Sequence, residues 1–214
     1  MSDGPLAFIK DALAGVEREA KESVGDRIYV TWSEHYNNWI DFFQPLLKEL
    51  SDFEKFNLMI VFRLAAELSR RIAAVAPVSG HFWLNDSKLD YPVSLIFFAG
   101  TEDPLNPLLG GEVRSPWGIV EKKPPVSESV LKWVKLLGCP AEPKVLYDKD
   151  GVKAVVYAPG RGGSEVVSYT IEGMGHTWPG GKSLLPERLV GKMTHKIKAT
   201  DVIWEFFQNH PKKV

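Results

Sequence analysis

The chain has almost no cysteine: Cys139 is the only one among 214 residues. A single thiol excludes an intramolecular disulfide framework and any multi-cysteine zinc or iron–sulfur site. Excess charge of one sign is also missing, with 26 Lys+Arg against 27 Asp+Glu and a formal net charge of −1. Proteins that bind mainly nucleic acid or anionic membrane surfaces carry a basic excess, so neither is expected as a partner. No apolar run approaches the roughly 20 residues that span a bilayer. Met1–Phe8 lacks the basic segment followed by an apolar one that marks a signal peptide, which leaves localisation open. His35, His81, His195 and His210 fit no metal-ligand spacing and are expected at the surface. No metal and no cofactor are expected. Gly160-Arg161-Gly162-Gly163 lacks the Lys-Ser/Thr ending and the following helix of a phosphate loop, and reads as a hairpin loop.

What is present is the composition of a globular protein, 44% hydrophobic and 25% charged, long enough for a single domain over residues 1–214. Apolar residues at helical spacing predict helices over 5–23 and 58–70. Ser127 is placed to cap a helix that runs to Leu137, with Gly138 as its left-handed stop. The last helix is centred on 202–207. Short apolar or alternating runs predict strands at 27–31, 73–78, 93–99 and 166–171. Asp150-Gly151 between 145–147 and 152–157 signals a tight hairpin. Helices alternating with buried strands imply an α/β protein around a largely parallel sheet.

Aromatic residues are unevenly spread. Seven of them (Trp32, Tyr36, Trp39, Phe42, Phe43, Phe53 and Phe56) fall within residues 32–57, marking that segment as different from the rest. Chemistry is expected instead in two loops that directly follow predicted strands. The first is Gly100-Thr101-Glu102-Asp103-Pro104 and the second Gly175-His176-Thr177-Trp178-Pro179-Gly180-Gly181. In open α/β sheets functional residues gather at the carboxyl ends of strands. An acid followed later by a histidine is the second half of a Ser…Asp…His order, in which a buried carboxylate holds the imidazole in one tautomer. An Asp-Pro turn and a histidine in a glycine-rich loop also occur as ordinary turns.

These two loops, together with Ala73-Ala74-Val75-Ala76-Pro77-Val78-Ser79-Gly80, resemble the polyhydroxybutyrate depolymerase/feruloyl and acetyl-xylan esterase group of α/β-hydrolases. The similarity runs from about Leu58 to Phe207 and takes in Asp26–Thr31. It implies an α/β-hydrolase-like three-layer sandwich, incomplete on its N-terminal side. It also implies Asp103 as triad acid, His176 as triad base and Trp178 beside the substrate entrance. The substrate implied is a small ester, or an ester of a polyester or polysaccharide, cleaved through an acyl-enzyme. Cys139 stands where relatives often carry a half-cystine, and relatives are commonly exported.

One departure is conspicuous. In that group a strand like 27–31 runs into a Gly-x-Ser-x-Gly elbow and then a helix like 58–70, because only glycines permit the sharp turn that exposes the serine. Here Trp32 to Leu58 intervene. Ser33 is the serine nearest the expected place, yet its neighbours two residues away are Thr31 and His35. The group's earlier strands, including the loop that supplies an oxyanion donor, have no counterpart before Arg27. The inserted segment reads as a helix pair covering the sheet, as an aromatic lid, or as foreign sequence. The expectation is a hydrolase that is weak or inactive as written, with a non-catalytic ligand-binding protein of the same fold or a gene fragment as alternatives.

Overall fold

A computed structural model of the chain describes residues 28–31, 60–84, 87–114, 120–183 and 186–212. The helix expected over 5–23 and the aromatic segment 32–57, with Ser33 and His35, lie outside the described residues. Among the described residues eight strands and four α-helices follow in chain order: β1 (Ile28–Thr31), α1 (Ile60–Glu67), β2 (Ile72–Ala76), β3 (Ser94–Gly100), β4 (Gly111–Arg114), β5 (Val120–Lys123), α2 (Val126–Leu137), β6 (Lys144–Lys149), β7 (Val152–Tyr157), β8 (Val166–Ile171), α3 (Glu187–Val190) and α4 (Ala199–Asn209).

Six strands form one mixed sheet in the order β1-β2-β3-β8-β7-β6. The pairs β1–β2, β2–β3 and β3–β8 are parallel, whereas β8–β7 and β7–β6 are antiparallel. The α/β class and the mostly parallel sheet read from the sequence are therefore present. The buried strand β3, Ser-Leu-Ile-Phe-Phe-Ala-Gly, shows why the sheet is covered on both sides. Leu95, Phe97 and Ala99 face a core completed by α1 and α2, while Ile96 and Phe98 face a second core completed by α4. A strand buried on both faces reads as a continuous apolar run, because neither side-chain row meets water.

Local signals account for most boundaries. Asp150 and Gly151 both take positive φ, 55° and 73°, the conformation of a two-residue turn matched to strand twist. Gly138 ends α2 at φ 68°, with its N–H and that of Cys139 donating to the carbonyls of Lys135 and Val134. The expected cap Ser127 is displaced: α2 starts at Val126, with the cap position two residues earlier at Pro125 and no side-chain cap. Proline's fixed φ suits the entry to a helix, and Val126 turns into the core, which decides the start. Arg161–Gly163 forms a single 3-10 turn joining the antiparallel strands β7 and β8, as a hairpin loop should.

The small antiparallel pair β4–β5 is an element that the hydrophobic pattern does not announce. Its strands, Gly-Glu-Val-Arg and Val-Glu-Lys-Lys, each turn only one side chain inward, Val113 and Lys123. No helix among the described residues is long and apolar enough to cross a membrane.

Candidate active site

Strands β2, β3 and β8 are adjacent and parallel, so their carboxyl ends open on one edge of the sheet. The loops that leave them carry Ser79 and His81, Asp103, and His176 respectively. The β3 and β8 loops are stitched together by their backbones. The N–H of Thr101 donates to Ile171 O (3.0 Å), that of Glu102 to Met174 O (3.0 Å), and that of Gly173 to Thr101 Oγ1 (2.9 Å). This contact is so close that a Cβ on Gly100 would lie 2.0 Å from Met174 O. Gly175 is similarly confined, since its Cβ would lie 2.3 Å from Val190 O. That approach lets the His176 N–H donate to Val190 O at 2.5 Å, fixing the histidine backbone from the far side.

Within this frame Asp103 Oδ2 meets His176 Nδ1 at 2.9 Å. The other carboxylate oxygen, Oδ1, accepts the backbone N–H groups of Leu105 (2.8 Å) and Asn106 (2.7 Å). Aspartate bonding to N–H groups two and three residues on is the local Asx turn that Asp-Pro-Leu-Asn favours. The Asp103 side chain is 1% exposed and that of His176 21%, so the acid is sealed and the base faces outward. Burial raises the Asp103 pKa, but the positive charge and hydrogen bond of His176 and the N–H groups of Asn106 and Leu105 outweigh it. The carboxyl is held below its ordinary value. No hydrogen bond from a described residue engages His176 Nε2, which leaves that nitrogen able to accept a proton.

The structure thus brings Asp103 and His176 together. Trp178 lies on the same loop, but its ring packs against the α4 core and its indole N–H donates to Thr200 Oγ1 at 3.2 Å. Ser33 lies outside the described residues. His81 corrects an expectation, because it is fully buried, not at the surface. Its Nδ1 lies 3.3 Å from Ser129 Oγ, while its Nε2 and the nearby Ser79 Oγ are buried without a hydrogen-bond partner among the described residues. Burial, and then the charge of Lys123, push the His81 imidazole down to about 4. His210 is likewise half-buried, stacked on Phe206 and paired with Glu165 at 3.1 Å, while His195 is exposed as expected. Cys139 is a free, half-buried thiol whose pKa is raised by burial.

Comparison with known proteins finds a similarity to one of them. The chain is 27% identical over 162 residues to a protein of Nocardia uniformis subsp. tsuyamanensis named "Putative esterase NocK". The likeness is thus to a protein with an esterase's name. It covers 69% of this chain and 47% of the relative, so the chain matches about half of that protein's length. No protein-family model matches the chain. Among the described residues no group of three or more His, Cys, Asp or Glu could hold a metal ion.

Sequence reading missed Lys123 and Asn106. Lys123 is 5% exposed and donates to Asn106 Oδ1 at 2.9 Å, with Glu121 at 2.9 Å on its other side. Asn106, three residues after Asp103, carried a faint signal in the Asx-turn spacing. Lys123 carried none, because Glu-Lys-Lys reads as a solvated charge run until the second sheet turns one lysine inward.

Proposed function

We propose that this chain carries the acid and base of a serine carboxylic-ester hydrolase of the polyhydroxybutyrate depolymerase/feruloyl esterase type, on an α/β-hydrolase-like fold. The observation that supports this reading is the 2.9 Å contact between the sealed Asp103 carboxylate and Nδ1 of the part-exposed His176. The esterase likeness agrees with it. In the proposed reaction neutral His176 donates its Nδ1–H to Asp103 and takes a serine hydroxyl proton on Nε2. The serine oxygen bonds to the acyl carbon, and the leaving alcohol departs with the proton from His176. Water, deprotonated by the same nitrogen, then bonds to the acyl carbon; the serine–acyl bond breaks, His176 returns the proton to the serine oxygen, and the acid is released. Asp103 stabilises the imidazolium formed in each half. Trp178 is proposed to line the approach of the ester.

Ser33 is the candidate nucleophile, and no Gly-x-Ser-x-Gly turn stands between β1 and α1 to present it. Loss of a properly held serine costs on the order of 10⁶ in turnover, so weak turnover is part of the proposal. The same absence favours a second reading, in which the cleft binds ester- or sugar-like ligands without cleaving them.

A fluorophosphonate probe separates the two. Labelling that disappears in both Ser33→Ala and His176→Ala, and slows about 10⁴-fold in Asp103→Asn, is the result expected of the hydrolase. No labelling, together with a rise in unfolding midpoint when a non-hydrolysable ester analogue is added, would replace it with the binding protein.

A further inference from the structure

We propose that Lys123 and Asn106 form a brace that positions the acid of the Asp103–His176 pair, making the small β4–β5 sheet a working part of the site. The proposal rests on the acid–base reading above and extends it to residues outside the loops that carry the pair.

The geometry runs in one chain. Oδ2 of Asp103 points at His176 because Oδ1 is anchored by the N–H groups of Leu105 and Asn106. The direction of the carboxylate therefore depends on where the Asn106 backbone sits. Asn106 is 1% exposed and has both ends of its side-chain amide engaged. Its Oδ1 accepts from Lys123 Nζ at 2.9 Å, and its Nδ2 donates to the Ser79 carbonyl. Ser79 is itself fixed, with its N–H on Phe98 O at 2.9 Å and a φ of 51°, outside the usual range for a residue with a side chain. Asn106 thus ties the acid turn to the β2 loop on one side and to β5 on the other.

Lysine has a particular effect here. An ammonium can only donate, so the Asn106 oxygen must face it and the Asn106 amino group must face Ser79. A neutral partner able both to donate and to accept would permit the flipped amide, with two oxygens opposed across the Ser79 contact. Charge assistance also makes the Lys123 bond the stronger kind. Burying an ammonium is costly, and a methionine of similar length would fill the same space without that cost. Glu121, half-exposed at 2.9 Å, offsets part of the penalty from the solvent side. The field of Lys123 reaches the site floor, since after burial it is the chief influence lowering His81.

The test reads the ring of His176 directly. Long-range ¹H–¹⁵N spectra at mildly alkaline pH report which ring nitrogen carries the proton, without requiring turnover. The unaltered chain is expected to hold the Nδ1–H form bonded to Asp103. Lys123→Met and Asn106→Ala are each expected to convert this to a mixture with the Nε2–H form while unfolding stays cooperative. Lys122→Met, on the exposed side of the same strand, is expected to leave the spectrum unchanged. A folded Lys123→Met or Asn106→Ala protein with an unaltered His176 ring overturns the brace, as does an equal effect of Lys122→Met. If neither variant folds, the side-chain amide protons of Asn106 in the unaltered chain decide. Protection from solvent exchange supports the brace, and exchange as fast as at an exposed asparagine overturns it. A pure Nε2–H form in the unaltered chain, or absence of probe labelling, counts against the hydrolase reading and leaves the effect of Lys123 on Asn106 separately readable.

Discussion

At the scale of single residues, glycines in the β3 and β8 loops act for two different reasons. Gly100 is needed for space, because a Cβ there would lie 2.0 Å from Met174 O. Gly173 is needed for conformation, with φ at 74° and nothing within 4 Å of an added Cβ. Gly100→Ala should therefore force the two loops apart and cost about 2–3 kcal/mol, whereas Gly173→Ala should cost about 1 kcal/mol. Urea midpoints of the two variants check the order, and equal losses would contradict it. Gly100→Ala should also disturb His176, which lies two residues beyond Met174. The residue-level contrast with the nucleophile segment is plain: no glycine occurs between Gly25 and Gly80, so no backbone there is freed for a strained elbow.

At the scale of elements, α2 shows how packing outweighs capping. Val126, Val130, Trp133, Val134 and Leu137 face the core, and the Trp133 indole N–H donates to Val93 O at 3.0 Å. That bond ties α2 to the start of β3, the strand whose far end presents Asp103. Trp133→Phe keeps most of the buried ring but strands a buried carbonyl, and should cost about 1–3 kcal/mol. Trp133→Ala should cost about 3–5 kcal/mol through the cavity it leaves. Thermal unfolding of both variants distinguishes the hydrogen bond from the packing. The elements that the sequence revealed are those with a strong local signal: β3 as an apolar run, β8 through alternation, α2 as an amphipathic helix, and β6–β7 through Asp150-Gly151. The pair β4–β5 stayed hidden because four-residue strands rich in Glu and Lys carry no hydrophobic period. Only pairing with each other turns Val113 and Lys123 inward.

At the scale of the whole molecule, two buried titratable groups give the stability a two-part dependence on acid. His81 is pushed down to about 4 when folded, against about 6.5 when unfolded. In between, the unfolded chain binds a proton that the folded chain refuses, so stability is full above about pH 6.5 and falls as the pH drops toward 4. The loss amounts to about 3 kcal/mol. Asp103 acts in a lower window. Its folded pKa is depressed, so its contribution is present above the ordinary carboxylate value and is lost only as the pH falls through the depressed one. Unfolding midpoints from pH 7 to pH 3 should show both parts. His81→Phe should remove much of the drop between pH 6.5 and 4 and leave the lower one. A wild-type profile flat from pH 7 to 4 would contradict the burial of His81.

The α/β class, the loops that carry Asp103 and His176, and the absence of a glycine elbow near Ser33 were all legible in the linear order of residues. Each depends on local facts: apolar period, turn chemistry, and which residues flank a strand. The sealing of Asp103 and its 2.9 Å contact with His176 depended on the tertiary structure, because these residues are 73 positions apart. They meet only once β3 and β8 pair in parallel. The same holds for buried His81 and for Lys123. A histidine or lysine code letter is the same in water or in a core, and only packing from distant segments decides which environment it meets.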